Sequence, residues 1–161
     1  MQLFLMRHGE ASFDAACDKE RVLTETGRYQ SRTMVQCLRM DNRPFDLVLV
    51  SPYIRAQQTW QEVRELLGEP RHCIELNNLT PDASPRIAAD VILAYAEQYK
   101  ADKVLVISHM PLLGYLIGEL VAGEEPPLFA TSAVALLDKH GERLSYQSMT
   151  MPSMMTASSP V

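Results

Sequence analysis

Short unbroken apolar runs alternate along this chain with longer stretches in which apolar positions recur at helical spacing. Residues 2–6 (QLFLM) form the first run, too short for a helix and apolar enough to be a strand buried on both faces. A polar stretch from Gly9 to Leu23 follows. Thr24 is the predicted N-cap of a helix reaching about Met40, with Tyr29, Met34, Cys37 and Leu38 near one face; "DNRP" at 41–44 breaks it. "DLVLV" at 46–50 is a second buried-type strand, after which Pro52 suits a helix start and Gly68 stops that helix after Leu67. A short strand is predicted at 72–76, a loop at 77–85 ("NNLTPDASP") and a helix over 86–99. "KVLVIS" at 103–108 is the third strong strand and leads through "HMP" into a helix at about 111–121. After the loop "AGEEPPLF", "TSAVALLD" at 131–138 and "ERLSYQSM" at 142–149 read as a hairpin turned at "KHG".

Strands that alternate with helices and end in a hairpin predict an α/β fold. The expected architecture is a three-layer α/β/α sandwich over a mostly parallel sheet with an antiparallel edge hairpin. The length of 161 residues fits one domain, expected over 1–151, with 152–161 as a loose C-terminal tail.

Composition narrows the function. The chain is 47% hydrophobic and 22% charged, as soluble globular proteins are. A net charge of −5 argues against a nucleic-acid binder that works by neutralising phosphates, although a local basic pocket remains compatible with it. The apolar stretch before Arg7 is too short for a signal peptide, and no segment reaches membrane-spanning length, so no nucleic-acid or membrane partner is expected. Cys17, Cys37 and Cys73 are scattered, without CxxC, and read as reduced thiols of a cytoplasmic protein. His72-Cys73 lacks spaced partners, so neither a metal nor another cofactor is expected; His72 and His140 read as surface residues.

The candidate chemistry sits at strand ends. Arg7-His8-Gly9 follows the first strand, Arg55 follows "LVLVSP", and His109 follows "KVLVIS". Open α/β sheets bind ligands at the carboxyl ends of their strands, so these residues should meet at one sheet edge. Two arginines and two histidines there form an anion site, supplemented by two helix N-termini near Pro52 and Pro111. Gly9 is expected to let the backbone turn tightly beside the ligand. A neutral His8 in such a pocket can attack phosphorus while arginines hold the equatorial oxygens, which is phosphoryl transfer by nucleophilic catalysis.

With "MRHGE" at 6–10, "LT..G" at 23–27, "VLVSPYIRAQQT" at 48–59 and "VLVISHMP" at 104–111, the chain resembles the histidine phosphatase superfamily, also called the phosphoglycerate mutase-like or RHG family. The short length, "LTP" at 79–81 and "PPLFATSAVALL" at 126–137 resemble its bacterial phosphohistidine phosphatases more closely still. The resemblance implies a phosphoglycerate mutase-like fold, His8 as the nucleophile that becomes phosphohistidine, and Arg7, Arg55 and His109 as the phosphate pocket. Arg21, in the polar loop, is either a further phosphate contact or a solvated charge. The implied partner is a phosphohistidine-bearing protein, a phosphotransfer domain or phosphocarrier of signalling and sugar-uptake relays.

The chain departs from larger members of that family, which set a carboxylic acid over the leaving group and add a lid. Here the region is compact: Thr80 stands where an acid is expected, Asp82 is the nearest carboxylate, and Glu10 and Glu75 have no spacing argument behind them. A phosphorylated imidazole departs neutral when its other nitrogen carries a proton, whereas an alkoxide needs an acid. The expectation is therefore a protein-phosphohistidine phosphatase. A small-molecule phosphomonoesterase and a non-catalytic phosphate-binding module are the alternatives.

Overall fold

The computed structural model describes residues 1–38 and 43–153. Among these, the strands and helices run in the order β1 (Gln2–Arg7), α1 (Glu25–Leu38), β2 (Leu47–Val50), α2 (Ile54–Leu67), β3 (His72–Glu75), α3 (Pro85–Gln98), β4 (Lys103–Ser108), α4 (Leu112–Leu120), β5 (Val134–His140) and β6 (Arg143–Thr150). Short 3-10 turns lie at Asp18–Glu20 and Asn77–Leu79. The strands form one sheet in the order β3-β2-β4-β1-β5-β6. β1 to β4 are mutually parallel where they pair, and β5 and β6 close one edge as an antiparallel hairpin.

Side-chain alternation along the strands divides the core. Leu3, Leu5, Leu47, Leu49, Val104 and Val106 point to one face, where they pack with Ala88 and Ile92 of α3 and Leu113 and Leu116 of α4. Phe4, Met6, Val48, Val50, Leu105 and Ile107 point to the other, against Met34 and Val35 of α1 and Ala56, Trp60 and Val63 of α2. The period of two is that of any strand, and helices on both faces explain why these strands read as continuous apolar runs. The result is the expected three-layer α/β/α sandwich.

Helix starts follow their caps. The Thr24 hydroxyl accepts from Gly27 N–H at 3.0 Å and opens α1; Ser84 accepts from Ile87 N–H at 3.3 Å and opens α3. The starts of α2 and α4 have no side-chain cap; Ala56 N–H donates to the Tyr53 carbonyl and Leu113 N–H to the His109 carbonyl, so the positive ends of both helices are only partly satisfied.

Several boundaries differ from expectation. Pro52 lies in the turn ahead of α2, and Pro111 is the residue before α4 rather than its first. β5 begins at Val134 because residues 131–132 turn, with Ser132 at φ +64°, and it continues through His140. The hairpin then turns at Gly141, which takes φ +62° without steric cost. Tyr29 is 65% exposed, not on the packed face of α1. Ser31, Met34 and Val35 form that face, and at about 100° per residue Tyr29 lies well round the helix from Met34. The expected end of this helix near Met40, the side chains of Cys37 and Leu38, and the tail from residue 154 onward lie outside the described residues.

Candidate active site

Register decides which residues meet. Arg7 of β1 pairs with Ser108 of β4, and Val50 of β2 with Ile107 of β4. The next residue on each strand, His8, Ser51 and His109, therefore shares the carboxyl edge of the sheet. His8 N–H donates to the Ser108 carbonyl and Ser51 N–H to the Ile107 carbonyl, both at 3.0 Å. The His8 and His109 rings lie 4.9 Å apart between centroids.

The His8 ring is buried, and its Nδ1–H donates to the Gly9 carbonyl at 2.7 Å. A carbonyl only accepts, so this bond assigns the tautomer: Nε2 carries the lone pair. That lone pair accepts from the Arg55 Nε–H at 3.2 Å. Burial, opposed by the Gly9 bond and reinforced by Arg55, Arg7 and Arg21, pushes the His8 pKa down to about 3.

The turn that carries His8 is fixed from three sides. Gly9 N–H donates to Thr59 Oγ1 at 3.0 Å, and the Thr59 hydroxyl donates to the Arg55 carbonyl at 2.8 Å. Ser132 N–H donates to the His8 carbonyl at 3.1 Å, while the Ser132 and Ser31 hydroxyls meet at 2.9 Å in the interior. The reason for glycine at position 9 differs from expectation. Gly9 is not among the residues at positive φ; helix α1 is what demands it. A Cβ on Gly9 would stand 2.7 Å from the Gly27 carbonyl oxygen, and one on Gly27 would stand 2.2 Å from the Glu10 carbonyl oxygen.

Arg7 donates through Nη1 to the Phe129 carbonyl at 2.8 Å. The segment bearing that carbonyl lies close on α4, since a Cβ at Gly114 would come within 2.6 Å of the Pro127 oxygen. His109 Nε2 lies 2.7 Å from Ser51 Oγ, which also accepts from Tyr53 N–H at 3.3 Å. With that oxygen already accepting, the Ser51 hydroxyl can donate to Nε2, a tautomer that leaves a proton on His109 Nδ1. Burial first, then the neighbouring His8 and the charges of Arg55, Arg7 and Arg21, push the His109 pKa down to about 2. Arg7 Nε and His109 Nδ1 are the buried side-chain nitrogens without a partner among the described residues. Buried donors normally find acceptors, so in that tautomer the two unpaired nitrogens at one sheet edge can receive an oxyanion.

Arg55 is buried, and besides His8 it reaches the Asp18 carbonyl through Nη1 at 2.6 Å and Asp18 Oδ2 through Nη2 at 3.1 Å. Arg21 comes beside the site rather than into this cluster. Its Nε and Nη2 donate to the Ser12 and Ala11 carbonyls at 2.9 and 3.2 Å, its Nη1 to Asp18 Oδ1 at 3.3 Å, and its guanidinium lies 4.0 Å from the Phe13 ring centroid. Its charge still depresses both histidines.

Sequence reasoning missed Asp18, Ser51 and the Phe129 carbonyl. Ser51 carried a signal, being the first residue after β2 as His8 and His109 are after β1 and β4. Thr59 is four residues after Arg55 and thus on the same helix face. Asp18, in a polar loop, carried none. Of the weighed carboxylates, Glu10 accepts from the Thr24 hydroxyl at 3.1 Å, and Glu75 and Asp82 are exposed. Among the described residues no hydrogen bond or ion pair joins Asp82 to His8, Arg7, Arg55 or His109, and no group of three or more His, Cys, Asp and Glu could hold a metal ion. His72 and His140 are exposed, as are the free thiols Cys17 and Cys73.

The depressed histidines predict a pH effect on stability. In the unfolded chain they take up protons near pH 6.5, whereas the folded pocket resists protonation down to about pH 3 at His8 and about 2 at His109. The unfolded state therefore binds more protons below pH 6.5, and stability falls as pH drops from there. The thermal midpoint, followed from pH 7 to 4.5, is expected to decline steadily. His109→Ala should flatten that decline; an unchanged slope would contradict a neutral buried His109.

Three comparisons bear on this arrangement. Residues 3–79 match the family model of the histidine phosphatase superfamily (branch 1). The chain is 45% identical over 143 residues to the phosphohistidine phosphatase SixA of Escherichia coli (strain K12), with 88% of each chain covered. It is 34% identical over 148 residues to the phosphohistidine phosphatase SixA homolog of Haemophilus influenzae, covering 85% of this chain and 87% of that one. The structure of the protein histidine phosphatase SixA complexed with tungstate superposes with a TM-score of 0.90 at 39% identity, covering 96% of this chain and 99% of the other.

Proposed function

Because this chain belongs to the histidine phosphatase superfamily, we propose that it removes the phosphoryl group from phosphohistidine on a protein, through a phosphohistidine of its own at His8. The observation that carries this reading is the neutral His8, whose Nε2 lone pair meets Arg55 Nε–H at the sheet edge where Arg7 Nε and His109 Nδ1 are buried without partners. In the first step the Nε2–phosphorus bond forms as the bond from phosphorus to the substrate imidazole breaks. The substrate ring keeps the proton on its other nitrogen and leaves neutral. Positive charge that builds on the His8 ring is stabilised where Nδ1–H meets the Gly9 carbonyl. Arg7, Arg55 and His109 Nδ1–H, with the uncapped starts of α2 and α4, hold the equatorial oxygens. Water then takes the phosphoryl group as dihydrogen phosphate, and His8 returns neutral.

A protein is the substrate this site fits. β3 and β4 are joined by one 3-10 turn and one helix, without a lid insertion. Phe13 beneath Arg21 and Leu128 beside Phe129 are 86% and 83% exposed near the site, and such apolar side chains suit a protein surface. The partner is a phosphotransfer domain or phosphocarrier protein of a signalling or sugar-uptake relay. Two exposed free thiols fit a reducing cytoplasm, and among the described residues no helix is long and apolar enough to cross a membrane.

The test compares leaving groups. Asp18 is the carboxylate joined to the cluster, and its bonds to arginines keep it ionised and unfit to give a proton. Phosphohistidine protein should be hydrolysed efficiently, an activated aryl phosphate less so, and glycerol phosphate poorly. Across aryl phosphates, log rate should fall as leaving-group pKa rises. Faster hydrolysis of glycerol phosphate than of phosphohistidine would make the protein a phosphomonoesterase. Binding of phosphate without turnover of any substrate would make it a binding module.

A further inference from the structure

The phosphate pocket gathers Arg7 and Arg55, with Arg21 beside it, yet the loop between β1 and α1 brings one carboxylate to its edge. Asp18 Oδ2 accepts from Arg55 Nη2 at 3.1 Å, its carbonyl accepts from Arg55 Nη1 at 2.6 Å, and Oδ1 accepts from Arg21 Nη1 at 3.3 Å. The two partners differ in surroundings. The Arg55 side chain is 4% exposed, while that of Asp18 is 57% exposed. The carboxylate is solvated, and the Asp18 carbonyl and His8 Nε2 still meet the buried guanidinium without it, so this bond has small value to the fold as such. What it does is fix a buried guanidinium whose third contact, Nε–H to His8 Nε2 at 3.2 Å, lies on the reacting atom.

We propose that Asp18 is a positioning residue for the His8 reaction: it holds the Arg55 fork in register with the nucleophile, and its charge moderates the pocket's attraction for anions so that free phosphate can leave. The inference rests on the phosphatase reading above. Before phosphate enters, Arg55 Nε–H is bonded to the lone pair that must attack. Attack therefore requires Arg55 to turn that donor from His8 toward a phosphate oxygen, while the two bonds to Asp18 keep the fork from drifting away. Burial alone would favour a protonated Asp18, but the hydrogen bonds and charges of Arg55 and Arg21 outweigh it and hold its carboxyl below the usual range. The carboxylate is thus charged at neutral pH. A full negative charge bonded to a phosphate-binding arginine must weaken the binding of every anion there, the product included.

These two roles separate in kinetics. Asp18→Asn keeps the backbone carbonyl and one side-chain acceptor and removes the charge. On an aryl phosphate, kcat is expected to fall at least ~10-fold, while the inhibition constant of inorganic phosphate stays the same or tightens by roughly 2–10-fold. Simple damage to the pocket moves both toward weakness. Asp18→Glu, which keeps the charge on a longer arm, should leave phosphate inhibition near wild type while kcat remains reduced. Thermal melts of both variants should match wild type. The proposal is overturned by an unchanged kcat in Asp18→Asn, by phosphate affinity lost in parallel with kcat, or by a large fall in melting temperature in both variants. Failure of the phosphatase reading would look different, because wild-type protein would then leave phosphohistidine intact whatever the Asp18 variants do to the aryl phosphate.

Discussion

His8→Ala is expected to lose about 10⁴-fold or more in kcat while keeping the fold, because it removes the atom that bonds to phosphorus. Its neighbours are held independently of the imidazole. The Gly9 N–H bond to Thr59 and the Ser132 N–H bond to the His8 carbonyl both involve groups that alanine leaves in place. The variant should unfold at or above the wild-type temperature in mild acid, since a buried imidazole that resists protonation is gone. Brief incubation with a phosphorylated substrate, stopped in alkali, should find a base-stable, acid-labile phosphoramidate on wild type and none on His8→Ala. A label that persisted and mapped elsewhere would overturn the nucleophile.

Arg55→Ala should cost at least ~100-fold in kcat/KM, roughly 3 kcal/mol of transition-state stabilisation. Three bonds end on this side chain: to the nucleophile, to the Asp18 carbonyl and to the Asp18 carboxylate. Each uses a different nitrogen of a planar fork, so Arg55→Lys, which offers a single ammonium, should recover little of the loss. His8 should become somewhat easier to protonate in Arg55→Ala, although burial, the larger influence, still holds it neutral. Near-wild-type kinetics in Arg55→Ala would place it outside the working pocket.

What the chain disclosed before folding, and what it did not, has a physical boundary. β1, β2 and β4 were legible because strands covered on both faces must be apolar without interruption, and Arg7, His8 and His109 were legible because each ends such a run. Arg55 followed from its place at the start of the next helix. Asp18 and the Phe129 carbonyl were not legible, since their meeting with Arg55 and Arg7 depends on the paths of loops 12–21 and 122–129, which no periodicity governs. Gly9 was legible as a position but not as a reason. Its demand comes from Gly27, 18 residues away, through a backbone approach that only the packed α1 creates. Tyr29 was misplaced because a spacing of five residues was read as one face, whereas three and four are the spacings that share one.

The sheet order has a consequence for how the protein is made. β4 lies between β1 and β2, and among the described residues β1 pairs with β4 and β5. Until Ser108 has been added, the apolar strand that delivers Arg7 and His8 has no neighbour in the sheet. At roughly 5–20 residues per second, a ribosome spends about 5–20 s between the first strand and the fourth. Throughout that interval the nucleophile exists on the nascent polypeptide without the burial that keeps it neutral or the guanidinium that meets its lone pair. An unfinished chain therefore lacks the assembled pocket, and its apolar first strand stays without a sheet partner until β4 is in place.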